Sequence, residues 1–284
     1  MNILAMGGAA RLSPKIGDVV STFEFLTASV DEGGVAHVRL RRPPANAVDV
    51  AMYREIATLF SDPDQIGANV RVIVLSGEGR HFCAGNDLDE FATMNPGNAV
   101  ERMWRVREAF FAIAGCAAPV IGAVHGAALG TGLAIAASCD FVVAAADARF
   151  GLPELSVGVM GGARHLARIA PGPLVRRMFL TAEPMSAEDL ARAGGSLIVC
   201  AADRLIDEAN RYARRIASLS PTAVRVGKRV LDRIEWMDLR EGYIFEQEAT
   251  VRMSGHADSK EALAAFRERR DAQYQPLDPP SPWY

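Results

Sequence analysis

The chain has 284 residues, 50% of them hydrophobic, 23% charged and 7% aromatic, with a formal net charge of −3. Its length allows one or two domains with a sizeable core. That balance excludes a strongly basic nucleic-acid binder and an acidic disordered chain, and 25 glycines without a collagen period exclude a fibrous protein.

The first 22 residues read as a loose leader whose apolar pieces are too short for a signal-peptide core. Strand-like segments follow at 23–30 and 35–40, joined by a turn at Gly33 and Gly34. From Asp49 to Phe60 the residues Val50, Tyr53, Ile56 and Phe60 recur at helical spacing. A β-branched strand at 70–75 leads into a polar glycine loop, 76–87, and a helix is expected over 99–114. Further strands are expected at 119–124 and 141–143, with a helix from about Gly130 through Ala137 between them. Strands apolar on both faces and alternating with helices predict a mostly parallel sheet in an α/β fold.

Beyond Leu174 helical periodicity dominates, over 202–219, 222–234, 239–253 and 259–270, with Ser186 capping a short helix that ends at Ala193. This predicts an α/β core over 23–200, a helical C-terminal subdomain over 201–273 and a frayed tail over 274–284. Arg211, Arg214, Arg215, Arg225, Lys228 and Arg229 are expected on solvated helix faces.

Cys83, Cys116, Cys139 and Cys200 form no CxxC pair and sit in apolar sequence, as buried reduced thiols of a cytoplasmic protein would. The five histidines never fall at i, i+4, so no dedicated metal site is expected. No apolar run reaches the roughly 18 residues of a membrane span.

Three segments could carry chemistry. In 80–88, Ala84 and Gly85 leave room for backbone N–H groups to face a ligand, although an ordinary connecting turn has the same composition. In 124–134, a buried strand runs into Gly130-x-Gly132 and a helix, whose free N–H groups and positive dipole end suit an anion. This is not a dinucleotide fingerprint, because Ile135 stands where its third glycine belongs. His125, at the strand end, reads as structural. In 148–155, Glu154 follows a Gly-x-Pro turn and is flanked by Phe150, Leu152, Leu155 and Val157. Apolar company raises a carboxyl pKa towards the range useful for proton transfer, whereas a turn glutamate in solvent would keep its ordinary value. Acyl-hydrolase elbow, Walker and kinase motifs do not occur.

Taken together and in this order, these segments resemble the enoyl-CoA hydratase/isomerase (crotonase) family over roughly Phe23 to Gln273. The resemblance is carried by Arg42-Pro43-Pro44-Ala45-Asn46-Ala47, Phe82-Cys83-Ala84-Gly85-Asn86-Asp87-Leu88, and His125-Gly126-x-x-Leu129-Gly130-x-Gly132 ending in Cys139-Asp140. It continues through Phe150-Gly151-x-Pro153-Glu154 to Ala265-Phe266-x-x-Arg269-Arg270.

The resemblance implies a crotonase-like fold of repeated ββα units, a helical C-terminal region used for assembly into a homotrimer or hexamer, and acyl-CoA thioester substrates. Coenzyme A then arrives as part of the substrate, with no separate cofactor, metal, nucleic acid or membrane partner. It assigns the backbone N–H groups of Ala84 and Thr131 to an oxyanion hole, Glu154 to acid/base catalysis, and Ala84, Gly85, Asn86, Asp87 and Leu88 to CoA. Phe266 and Arg269 would meet CoA from a neighbouring subunit.

Hydratases of the family carry a second glutamate where this chain has Ala134. Moving a proton between two carbons on one face needs a single carboxylate, so double-bond isomerisation is the favoured expectation. Enoyl-CoA hydration and a non-catalytic CoA-ester-binding protein are the alternatives. The segment after Glu154, 158–165, departs from the family pattern, and His165 is expected on a helix surface.

Overall fold

Val72 and Val74 point to one side of a strand and Ile73 and Leu75 to the other, and all four are buried, so this strand lies inside a covered sheet. The computed structural model describes residues 23–67, 69–275 and 277. The leader expected over 1–22 lies outside the described residues, as does the tail expected over 274–284 apart from 274, 275 and 277.

Among the described residues the central sheet has six strands: β1 (Leu26–Val30), β2 (Val35–Leu40), β3 (Val72–Gly77), β4 (Val120–Val124), β6 (Phe141–Ala145) and β9 (Ile198–Cys200), hydrogen-bonded in that spatial order. β1 and β2 form an antiparallel hairpin and the remaining pairs are parallel. A smaller sheet joins β5 (Ala127–Leu129), β7 (Arg149–Gly151) and β8 (Met185–Ser186). The sequence carried no sign of it, because strands of two or three residues show no alternation to read.

One face of the central sheet is covered by α1 (Val50–Ser61), α3 (Ala99–Ala114) and α4 (Thr131–Ser138), which share a core with Ile73, Leu75 and Val120. Asp49 caps α1 by accepting from the Met52 N–H. The remaining helices before the C-terminal region are α2 (Leu88–Phe91), α5 (Ala163–Ile169), α6 (Gly172–Thr181) and α7 (Ala187–Arg192).

The other face of the sheet is covered by α8 (Leu205–Ala217), whose Leu205, Ala209, Ala213 and Ala217 recur every fourth residue against Val72, Val74, Ile121, Ala123 and Val143. By packing, this first helix of the C-terminal region is part of the core. Beyond it come α9 (Pro221–Ile234), α10 (Leu239–Ser254) and α11 (Ala257–Glu268).

Two of the cations expected in solvent are buried. Arg225 is 7% exposed and reaches Asp64 and the Val70 carbonyl; Lys228 is 5% exposed and holds Asp140 and the Ala114 carbonyl, both at 2.8 Å. Asp140 in turn accepts from the Val120 N–H at 2.6 Å. A buried cation survives only with partners, and these partners pin α9 to the sheet. Of the four free cysteines, Cys200 is half-buried and the other three are buried.

Candidate active site

The loop after β3 threads between two stretches of backbone. On one side Cys83 pairs with β5: its N–H donates to Ala127 at 2.9 Å and its carbonyl accepts from Leu129 at 3.1 Å. On the other side lie residues 45–48, held by Asn46. That side chain is fully buried; its amide nitrogen donates to the carbonyls of Glu78 (2.9 Å) and His81 (2.8 Å), and its oxygen accepts from the Arg42 N–H (2.8 Å). Arg42 itself pairs with Asp49 and Asp87.

This threading decides which amides remain available. A trans peptide points its C=O and N–H in opposite directions. The Cys83 carbonyl faces β5, so the Ala84 N–H faces away and donates to the Ala45 carbonyl at 2.9 Å. Ala84 therefore cannot be an oxyanion donor, contrary to the expectation from the resemblance. At Gly85, whose φ is +123°, the chain turns over. The Gly85 carbonyl now accepts from Val48 and the Asp87 N–H donates back to Val48, so the Asn86 N–H faces the opposite way. Among the described residues nothing accepts from it. The available donor lies two residues beyond the expected one.

The second arm is the start of α4. Gly130 caps it with a φ of +53°, and its own N–H is spent on the Gly151 carbonyl at 2.9 Å. Thr131, the first residue of the helix, offers an N–H that no carbonyl among the described residues accepts, at the positive end of the helix dipole. A Cβ at Gly132 would stand 2.0 Å from the Cys83 carbonyl oxygen, so only glycine lets α4 approach the loop this closely. Ala134, one turn further, is buried among apolar residues.

The two arms meet on one hydroxyl. Tyr53, fully buried on α1, donates to the Asn86 side-chain oxygen at 2.8 Å and lies 2.7 Å from Thr131 Oγ1. A phenol has one proton, so Thr131 donates to Tyr53 and Tyr53 to Asn86. Burial pushes the Tyr53 hydroxyl well above its usual range, so it stays neutral. Helical spacing reads Tyr53 only as a core residue; the missed signal is a hydroxyl within an otherwise apolar stripe, which needs a partner when buried.

Glu154 faces this junction from a 3₁₀ turn, Pro153–Val157. Its Oε1 lies 3.0 Å from where a Cβ would stand on Gly130, and Oε2 is buried without a hydrogen-bond partner. Desolvation raises its pKa above the ordinary carboxyl range. Phe150 and Leu152 supply fully buried apolar neighbours, whereas Val157 is exposed. The carboxyl is thus half-buried, as expected of a proton-transfer group rather than a solvated turn residue.

The other expected site residues are placed as follows. The Asp87 carboxylate is committed to Arg42 and to the Glu90 N–H, which hold it below its usual range, and Leu88 is 69% exposed. Phe266 is 83% exposed on α11 and Arg269 caps that helix, which packs on α9 and α10. His125 holds the Gly79 carbonyl at 3.0 Å, the structural role read for it. His165 is not on an open helix surface: it is half-buried, edge-on to Phe110 at 4.9 Å, and burial pushes its pKa down to about 4.

The Asn86 and Thr131 amides, left free on two arms that Tyr53 joins, and the desolvated Glu154 carboxyl are groups that can stabilise an enolate and move its proton. The enoyl-CoA hydratase/isomerase family model matches residues 31–276, and the chain belongs to that family. It is 33% identical over 230 residues to a (7aS)-7a-methyl-1,5-dioxo-2,3,5,6,7,7a-hexahydro-1H-indene-carboxyl-CoA hydrolase of Rhodococcus jostii, covering 81% of this chain and 89% of that one. It is 32% identical to a short-chain-enoyl-CoA hydratase of Clostridium acetobutylicum, covering 84% of this chain and 93% of the relative. The crystal structure of an enoyl-CoA hydratase from Bacillus anthracis superposes with a TM-score of 0.81 at 29% identity, covering 88% of this chain and 99% of that one. The protein is an acyl-CoA-processing enzyme of the crotonase fold.

Proposed function

We propose that the protein shifts the double bond of a 3-enoyl-CoA to the 2-position, with Glu154 as the only acid/base. The Glu154 carboxylate takes a proton from C2, and the resulting enolate oxygen is held between the Asn86 and Thr131 amides. The protonated carboxyl then returns the proton at C4, leaving the C2=C3 double bond and the carboxylate restored. The observation that carries this reading is a half-buried Glu154 with a free Oε2, facing a helix whose first turn holds no acidic residue. Glu154→Gln removes the acid/base while keeping the side chain's shape. A purified variant should lose activity on 3-hexenoyl-CoA by 10³-fold or more, on the order of what loss of an essential acid/base costs. A variant at full rate would refute the assignment.

Hydration is the second reading, favoured by relatives such as the Clostridium acetobutylicum hydratase. It would require Glu154 both to activate water and to protonate C2. Loss of crotonyl-CoA absorbance in the same preparation separates the two reactions, since isomerisation leaves that ester unchanged.

Acyl-CoA enters as substrate, with coenzyme A along Ala84 to Leu88 and no separate cofactor. Assembly into a homotrimer or hexamer would bring Phe266 and Arg269 of one copy to the CoA of another. Support for self-association comes from the outer face of α10 and α11, where Leu239 (90% exposed), Val251 (72%) and Phe266 (83%) stand in solvent in the single chain. A cytoplasmic location belongs to the same reading; no helix among the described residues is long and apolar enough to cross a membrane.

A further inference from the structure

Three glycines border Glu154 Oε1. A Cβ on Gly130 would stand 3.0 Å from that oxygen, one on Gly162 3.8 Å and one on Gly161 3.9 Å. The backbone itself calls for two of them. Gly130 and Gly162 have φ of +53° and +73°, and at Gly162 a Cβ would also stand 2.4 Å from Leu152 Cδ2. Gly161 is under neither constraint. Its φ lies outside the left-handed region, and among the described residues a Cβ there would meet, besides its chain neighbours, only Glu154 Cγ and Oε1 within 4 Å. Both contacts, at 3.9 Å, are ordinary van der Waals distances.

The fold would therefore accept a side chain at 161, and glycine instead keeps methyl-sized room against the acid/base carboxyl. Gly161 is exposed and Glu154 half-buried, so this room is open rather than sealed in the core. It adjoins the same carboxyl oxygen that Gly130 borders, and Gly130 directly precedes the Thr131 donor. Residues 155–163 carry no charged side chain, and Val157 (61%) and Met160 (84%) stand exposed among them. The segment offers no counter-charge to an ionised group, so a hydrocarbon branch is what suits it.

The place of that branch on the acyl chain follows from the reaction. Glu154 handles the proton at C2 whether the double bond is shifted or hydrated. C2 bonds to C1, C3, that proton and one further substituent, which stands next to the proton and hence against the carboxyl. In a straight-chain ester this substituent is only hydrogen.

We propose that the room kept by Gly161 receives a methyl branch on C2, so that the substrates are CoA thioesters of 2-methyl-branched acyl groups. The proposal rests on the acyl-CoA reading with Glu154 as acid/base, but not on the choice between isomerisation and hydration. Gly161 is thereby a specificity residue and takes no part in the proton transfer.

Calorimetric titration with hexanoyl-CoA, the separate (2R) and (2S) epimers of 2-methylhexanoyl-CoA, and CoA tests it, since these saturated esters have no double bond to move. Wild-type protein should bind one epimer about fourfold more tightly than hexanoyl-CoA, the worth of one buried methyl-sized group. Gly161→Ala puts a Cβ in the place of the branch and should weaken that epimer roughly tenfold more than it weakens hexanoyl-CoA, as overpacking does. A wild-type protein that binds hexanoyl-CoA but rejects both epimers would overturn the proposal alone, and this arm needs no variant to fold. So would a Gly161→Ala protein that weakens the epimers, hexanoyl-CoA and CoA alike, or that weakens none of them. Binding of no ester at all would contradict the acyl-CoA reading and this proposal with it. A preference for the branched ester that Gly161→Ala removes, without any double-bond shift on 3-hexenoyl-CoA, would instead sink the isomerase reading and leave this one standing.

Discussion

Thr131 offers its amide because a helix begins there, whereas Asn86 offers its amide because Gly85 turns a peptide plane over inside a loop. The first arm is rigid by construction, since a helix N-terminus always leaves N–H groups free. The second is available only because its neighbours are already spent: Ala84 on Ala45, Asp87 on Val48. A preorganised donor pair needs both kinds of element, and it needs a device that fixes their spacing. Here Gly132 sets how closely the arms approach, and the Tyr53 hydroxyl ties their side chains together.

Gly132→Ala should have the largest effect on this pairing. Its Cβ would fall 2.0 Å from the Cys83 carbonyl, so α4 and the loop must separate. If the separation removes one donor from the enolate, kcat falls on the order of 10²–10³-fold. Steady-state kinetics on 3-hexenoyl-CoA would measure it, and an unchanged kcat would show that the arms need not touch.

Tyr53→Phe should do less. Both amides stay in place, but the Asn86 oxygen and the Thr131 hydroxyl lose their shared partner, at a cost of about 1–3 kcal/mol in denaturant unfolding. A kcat loss of about tenfold with little change in KM is expected, because the tie orders the donors for the transition state rather than gripping CoA. A loss confined to KM would place Tyr53 in ground-state binding instead.

The smallest effect is one of pH. Burial raises the Glu154 pKa, so its carboxylate form is lost at a higher pH than an ordinary glutamate's. The acid limb of kcat/KM should therefore lie above the usual carboxyl range, with activity falling as pH drops through it. Tyr53→Phe should leave that limb where it is, because Tyr53 is neutral throughout. A limb at the solvent-exposed glutamate value would mean that the carboxyl is hydrated in the working enzyme.

Much of this arrangement was legible in the sequence. The alternation of strands and helices gave the parallel sheet, and Glu154 among apolar residues gave a raised pKa. What could not be read was direction. Ala84 and Asn86 occupy the same loop, and only the hydrogen bonds of residues far away in sequence, Ala45 and Val48, decide whose N–H is left over. Tyr53 was legible as core but not as a tie, since periodicity records burial and not what a hydroxyl reaches. Arg225 and Lys228 failed for a related reason: on an amphipathic helix they read as solvated, while Asp64 and Asp140, which bury them, come from distant segments.

The most direct test of the two-armed donor pair is a crystal structure of the Glu154→Gln protein with an unreacted acyl-CoA bound. The thioester oxygen is expected about 3 Å from both the Asn86 and the Thr131 amide nitrogens. A thioester oxygen bound to neither, with Ala84 released from Ala45 to hold it instead, would contradict the assignment.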